Sequence, residues 1–168
     1  MRRLAIPLFI IFILGIVESS VLPLVIEGNI RPNLLLVIMT LWISFYGSIG
    51  FLWVFLAGLF LDLLASTPFG IITLGMLTAN IINELLDQTL TQSGLARQMV
   101  RVAFVTMLTH VFMVISLLLR QININMSDAL LGVILPTVVV NCFFAIPVFF
   151  IFKLVERFAI QQRQQIYR

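Results

Sequence analysis

Apolar runs fill almost the whole chain, and polar residues fall between the runs instead of alternating within them. A helix needs about 20 residues to cross ~30 Å of hydrocarbon. Six stretches approach that length: residues 4–26, 33–46, 49–65, 69–86, 98–119 and 129–152. The second and third come from one run, 33–65, which is too long for a single ordinary span and is split at Gly47-Ser48-Ile49-Gly50. The fourth opens after the turn signal Ser66-Thr67-Pro68, and Pro136 and Pro147 predict kinks in the sixth. The polar loops of note are 87–96 and 121–128. The pattern predicts an all-α integral membrane protein, a six-helix transmembrane bundle in one domain, 1–168. Residues 153–168 carry Val155, Phe158, Ala159 and Ile166 near helical spacing with arginines between, which predicts an amphipathic helix on the anionic inner leaflet.

Composition agrees. Of 168 residues, 61% are hydrophobic and 10% charged, and the mean hydropathy is +1.16. Soluble domains sit nearer 45–50% apolar and ~25% charged, so function is sought in or beside the bilayer. Cys142 is the one cysteine and lies in an apolar run, where a small buried hydrophobe is expected. Met1-Arg2-Arg3 followed by an apolar stretch has the outline of a signal peptide, but no A-x-A site follows. An uncleaved first transmembrane helix is the expectation.

Six crossings put both termini on one side, and that side then holds Arg2, Arg3, Arg97, Arg101, Lys153, Arg157, Arg163 and Arg168. Only Arg31 and Arg120 fall on the other. The positive-inside rule therefore predicts cytoplasmic termini; a five-helix reading would move Arg97 and Arg101 outside. The net charge of +3 is scattered over segment ends, so it implies topology and no nucleic-acid partner.

Ionisable residues inside a bilayer are expensive and mark candidate sites. Glu18, Asp62, Glu84 and His110 qualify. Asp62 shares a stripe of its helix with Gly50, Val54, Ala57 and Gly58, small residues suited to close helix contact. Counted from the cytoplasmic ends of their helices, Glu18 and Asp62 both fall roughly 20 Å up, which predicts a shared polar locus with Arg31 or Arg120 as counter-charge. Thr73, Asn80, Glu84 and Asp87 line one helical face, as do Thr106 with His110 and Thr137 with Asn141. Interhelical hydrogen bonding is the favoured role for these stripes, ahead of a proton or ligand path. One His and one Cys make no usual zinc site. Ser48 with His110 lacks the elbow of a serine hydrolase, and no Walker or dinucleotide motif is present. No enzyme, cofactor or metal is expected.

Three segments carry a resemblance. Arg31-Pro32-Asn33-Leu34-Leu35-Leu36 opens one helix, Gly58-Leu59-Phe60-Leu61-Asp62 forms a G-x-x-x-D on the next, and Pro68-Phe69-Gly70 opens a third. Together they resemble the MreD family of bacterial rod shape-determining membrane proteins, with Pro32, Gly58, Asp62 and Gly70 at its signature positions as a partner or helix interface. Asn33 stands where an acidic residue is common in the family. The resemblance implies a non-catalytic subunit of the cell-wall elongation (rod) complex. Such a subunit binds the bitopic protein MreC and, through it, MreB, RodA and its transpeptidase partner. It also implies a fold similar to the S components of energy-coupling-factor transporters. An S component binding a vitamin is thus the alternative function, though the Ala-x-x-x-Ala docking motifs expected on its first helix are missing here.

Overall fold

The computed structural model describes residues 2–25, 30–65, 68–87, 94–123 and 125–166, with side-chain burial assigned to fewer of them. Ser66-Thr67, most of the expected loop 87–96, and Arg168 lie outside the described residues, as do the side chains of Asp87, Ala159, Arg163 and Ile166. Every regular element among the described residues is helical.

The first helix is α1 (Arg2–Ile16), which passes through a π-helical turn (Val17–Val21) into α2 (Leu22–Val25). Then come α3 (Leu34–Tyr46), a 3-10 turn (Gly47–Ile49), α4 (Gly50–Leu64) and α5 (Ile71–Asp87). Next is α6 (Leu95–Leu119), followed by the one-turn α7 (Met126–Ala129) and a second π-helical turn (Leu130–Ile134) that leads into α8 (Leu135–Ile166).

At the centre lies α3, apolar all round, as a helix enclosed by others must be. Its buried residues include Leu35, Leu36, Val37, Met39, Leu41 and Ile43. It ends where Gly47 takes φ +68°, a conformation that side chains with a Cβ rarely adopt. The chain then doubles back: a Cβ on Gly50 would stand 2.8 Å from the Ile43 Cα, whereas seven residues of unbroken helix span about 10 Å. Trp53, Val54, Ala57 and Leu61 of α4 join Leu36, Met39 and Ile43 in the main core, with Ile72 and Met76 of α5 and Val105 of α6. On the other side of α3, Val37 and Leu41 meet Val102 of α6 and Ala145 of α8. The first helix lies against α4, the Phe12 and Phe60 rings 5.8 Å apart. In lipid, burial of apolar surface does not drive such contacts; close packing and interhelical hydrogen bonds do.

The expectation of six crossings is met in part. Among the described residues four stretches are long and apolar enough to cross a membrane: Pro7–Leu24, Leu34–Leu64, Leu95–Leu119 and Met126–Phe158. The second of these is broken at Gly47, and α3, α4 and α5 have only 13, 15 and 17 residues. At 1.5 Å per residue they reach roughly 20–26 Å, short of the hydrocarbon thickness. A second difference concerns the tail. Residues 153–166 continue α8 without a break, so the segment expected to lie along the leaflet leaves the bundle as the same helix. Pro147 is accommodated inside α8, and Pro136 directly follows the π-helical turn Leu130–Ile134, where the regular hydrogen-bond ladder is already interrupted.

Candidate functional site

Short helices have a consequence for their ends. The first backbone N–H groups of a helix have no partner within it, and where the end falls inside lipid no water can supply one. Two of the short helices, α3 and α5, meet this need with side chains from elsewhere in the bundle.

At α3, the Asn33 side chain caps its own helix, its Oδ1 accepting from the Leu36 N–H at 2.8 Å. Glu18, from the π-helical turn after α1, accepts from the Leu35 N–H through Oε2 at 3.0 Å. Asn141 of α8 accepts from the Asn33 N–H at 2.8 Å and donates through Nδ2 to the Thr106 hydroxyl of α6 at 3.0 Å. Four membrane segments thus converge on one helix start. Pro32, buried just before it, brings no N–H of its own.

At α5, Asp62 of α4 does the equivalent work. Its Oδ1 accepts from the Ile72 N–H at 3.0 Å, and its Oδ2 from the Thr73 N–H at 3.0 Å and from the Thr73 hydroxyl. The Ile71 N–H turns back to the Pro68 carbonyl at 3.3 Å. Gly70 permits this tight entry with φ +93°. Gly58 sits one turn below Asp62, and a Cβ there would stand 2.7 Å from the Thr73 Cα. The G-x-x-x-D therefore works as a unit: the glycine lets α5 approach, and the acid receives its N-terminus.

These placements revise two expectations. Glu18 and Asp62 do not share one locus with an arginine; each holds a different helix start, and Arg31 and Arg120 are exposed. Gly58 and Asp62 are buried against α5 of the same chain, so neither offers an exposed face to a partner.

The remaining polar residues divide by where their bonds go. Asn80 donates through Nδ2 to the Met76 carbonyl at 2.8 Å, Thr137 to Val133 at 2.7 Å, and His110 Nδ1 lies 2.8 Å from the Thr106 carbonyl, all within their own helices. Glu84 instead reaches across to α6, its Oε2 3.4 Å from Arg101 Nη2. Arg101, counted among the basic residues of the cytoplasmic side near the start of the fifth helix, is buried in α6 with its side chain 4% exposed. Nearby, Gln98 donates to the Ser44 hydroxyl of α3 at 2.6 Å. Sequence reasoning missed Gln98 and the capping role of Asn33; a polar residue just before an apolar helix was the available signal for the second.

No reactive constellation emerges among these groups. Ser48 belongs to the turn that follows α3, whose Ser44 meets Gln98 near the start of α6, while His110 lies about 18 Å farther along α6 than Gln98. Among the described residues no group of three His, Cys, Asp or Glu is placed to hold a metal ion. His110 lines a cavity of about 550 Å³ at the other end, with Asn123, Asn125 and Asp128 at its rim. Cys142 Sγ lies 3.7 Å from the Met99 carbonyl of α6, a packing contact.

The architecture is that of a multi-pass membrane protein whose polar interior fastens helices to one another. Against known families, the model of rod shape-determining protein MreD matches residues 2–158. The chain belongs to the MreD family, as its Pro32, Gly58, Asp62 and Gly70 suggested, and it is a rod shape-determining inner-membrane protein. No curated protein and no solved structure matches the chain, so the implied likeness to transporter S components gains nothing from that comparison.

Proposed function

We propose that this chain is a non-catalytic subunit of the bacterial wall-elongation complex, which binds an MreC-like bitopic protein within the membrane and helps to maintain rod shape. MreB, RodA and its transpeptidase partner are reached indirectly, through that protein. The observation that carries the reading, beyond family membership, is the use of the intramembrane acids. Both oxygens of Asp62, and Oε2 of Glu18, receive backbone N–H groups of the chain's own helices. A carboxyl group so engaged is a strut. The wide apolar faces of α1 and α8, with Phe9, Phe12, Val139 and Phe143 exposed, give a partner helix surfaces to meet within the bilayer.

The finer topology belongs to the same proposal: α3, α4 and α5 act as three short crossings, giving six in all, with both termini cytoplasmic. The eight-to-two division of basic residues supports this. The test is affinity purification of the tagged, full-length chain from mildly solubilised membranes of its own cells. Recovery of an MreC-like bitopic protein in fixed stoichiometry is expected. Its consistent absence, with the tagged chain still supporting rod shape, would contradict the proposal.

A further inference from the structure

Where Asn141 donates to the Thr106 hydroxyl at 3.0 Å, α6 and α8 are fastened to each other. Farther from the tail they part. The π-helical turn Leu130–Ile134 and α7 lie apart from α6, and a cleft of about 550 Å³ opens between them. His110 stands at its base, one turn beyond Thr106 and ten residues, about 15 Å, short of Arg120 at the end of α6. Above it the walls are apolar, with Met113, Leu117 and Val133 among them, and Asn123, Asn125 and Asp128 form a polar rim.

The two polar poles of the cleft differ in kind. A carbonyl can only accept, so the 2.8 Å contact between His110 Nδ1 and the Thr106 carbonyl puts the proton of a neutral ring on Nδ1 and leaves Nε2 as an acceptor. Among apolar walls such an acceptor is costly until a donor meets it. At the rim, Asp128 is exposed and carries the only formal charge among the described lining residues; no lysine or arginine lines the cleft. The cleft therefore favours cations over anions. Its volume lies within the roughly 300–1,000 Å³ of small-molecule sites, which are mostly apolar with a few placed polar groups, and π-helical turns such as the one in its wall are frequent at functional sites. We propose that the cleft between α6 and α7 binds a small amphipathic amine: its ammonium pairs with Asp128, its apolar body lies against Met113, Leu117 and Val133, and its far end donates a hydrogen bond to His110 Nε2. This site is independent of the partner-binding reading above.

His110 is the chain's single histidine, so nitrogen NMR of its imidazole reads this site directly. The full chain, carrying no histidine tag and isotopically labelled at the histidine nitrogens, is held in lipid nanodiscs. Tyramine is the probe, with an ammonium at one end, a phenol hydroxyl at the other and an apolar ring between. Tyramine is expected to move the Nε2 resonance saturably toward that of a hydrogen-bonded acceptor, with Nδ1 nearly unchanged. In competition with tyramine, phenethylamine, which lacks the hydroxyl, is expected to bind about fivefold more weakly. Para-hydroxyphenylacetate, with a carboxylate in place of the ammonium, is expected to bind about tenfold more weakly. Asp128→Asn, an exposed change, is expected to weaken tyramine about threefold. Ala129→Leu, which narrows the cleft and leaves both poles in place, is expected to weaken it further. An Nε2 resonance that tyramine does not move saturably would overturn the proposal. Equal affinities for tyramine and phenethylamine would overturn it too, as would undiminished binding in Ala129→Leu, because the amine would then lie elsewhere.

Discussion

Asp62 on α4 receives the backbone N–H of Thr73 at 3.0 Å, and Gly58, one turn earlier, clears the space that lets Thr73 come so near. The two halves of the G-x-x-x-D thus act on one residue of the neighbouring helix. Close approach and N-terminal capping reinforce each other, because an acid cannot reach a helix start that a Cβ holds away.

The capping function of Asp62 predicts an order among its substitutions. Asp62→Asn keeps one carbonyl oxygen for Ile72 or Thr73 and is expected to lower stability by about 1 kcal/mol. Asp62→Ala leaves both backbone donors without a partner in a buried setting and is expected to lower it by about 2–3 kcal/mol. Unfolding in mixed micelles measures both; equal losses would show that the backbone bonds are not what matters.

Gly58 and Gly70 are glycines for different reasons, and alanine should distinguish them. At Gly58 the obstacle is the Thr73 backbone, so Gly58→Ala is expected to force α4 from α5 at about 1–3 kcal/mol. At Gly70 nothing lies within 4 Å, and only φ +93° resists a side chain. Gly70→Asn should therefore be milder than Gly70→Ala, since Asn tolerates positive φ better. A disulfide engineered between α4 and α5 would form less readily in Gly58→Ala and normally in Gly70→Asn.

Asn141 ties α8 to both α3 and α6, and its link to Thr106 can be isolated. In a double-mutant cycle with Asn141→Ala and Thr106→Val, a coupling of about 0.6–1.7 kcal/mol is expected. Asn141→Ala alone should exceed that, because it also strands the Asn33 N–H.

The sequence made the helical class legible because its apolar runs are long and its interruptions few. The family was legible too, because Pro32, Gly58, Asp62 and Gly70 stand at fixed intervals in the part of the chain where backbone geometry is most constrained. Less legible was the target of each polar residue. A carboxyl in an apolar run announces that it has a partner, but not whether that partner is an arginine, a second acid or a row of backbone donors. The donors here belong to helix starts whose positions depend on how short α3 and α5 are, and that length was set by turns at Gly47 and Gly70. Arg101 shows the same limit: next to a loop it reads as a surface cation, yet one and a half turns of helix carry it into the bundle beside Glu84.

The direct test of acids acting as struts is a double carboxamide, Glu18→Gln with Asp62→Asn, as the sole copy in rod-shaped cells. Cell width is measured beside the amount of folded protein and its recovery with the MreC-like partner. Amide oxygens can still accept backbone N–H groups, so rods of normal width are expected wherever folded protein reaches normal levels. Rounded cells containing normal amounts of folded, partner-bound double variant would contradict the account, because the acids would then be needed for their charge or their protons.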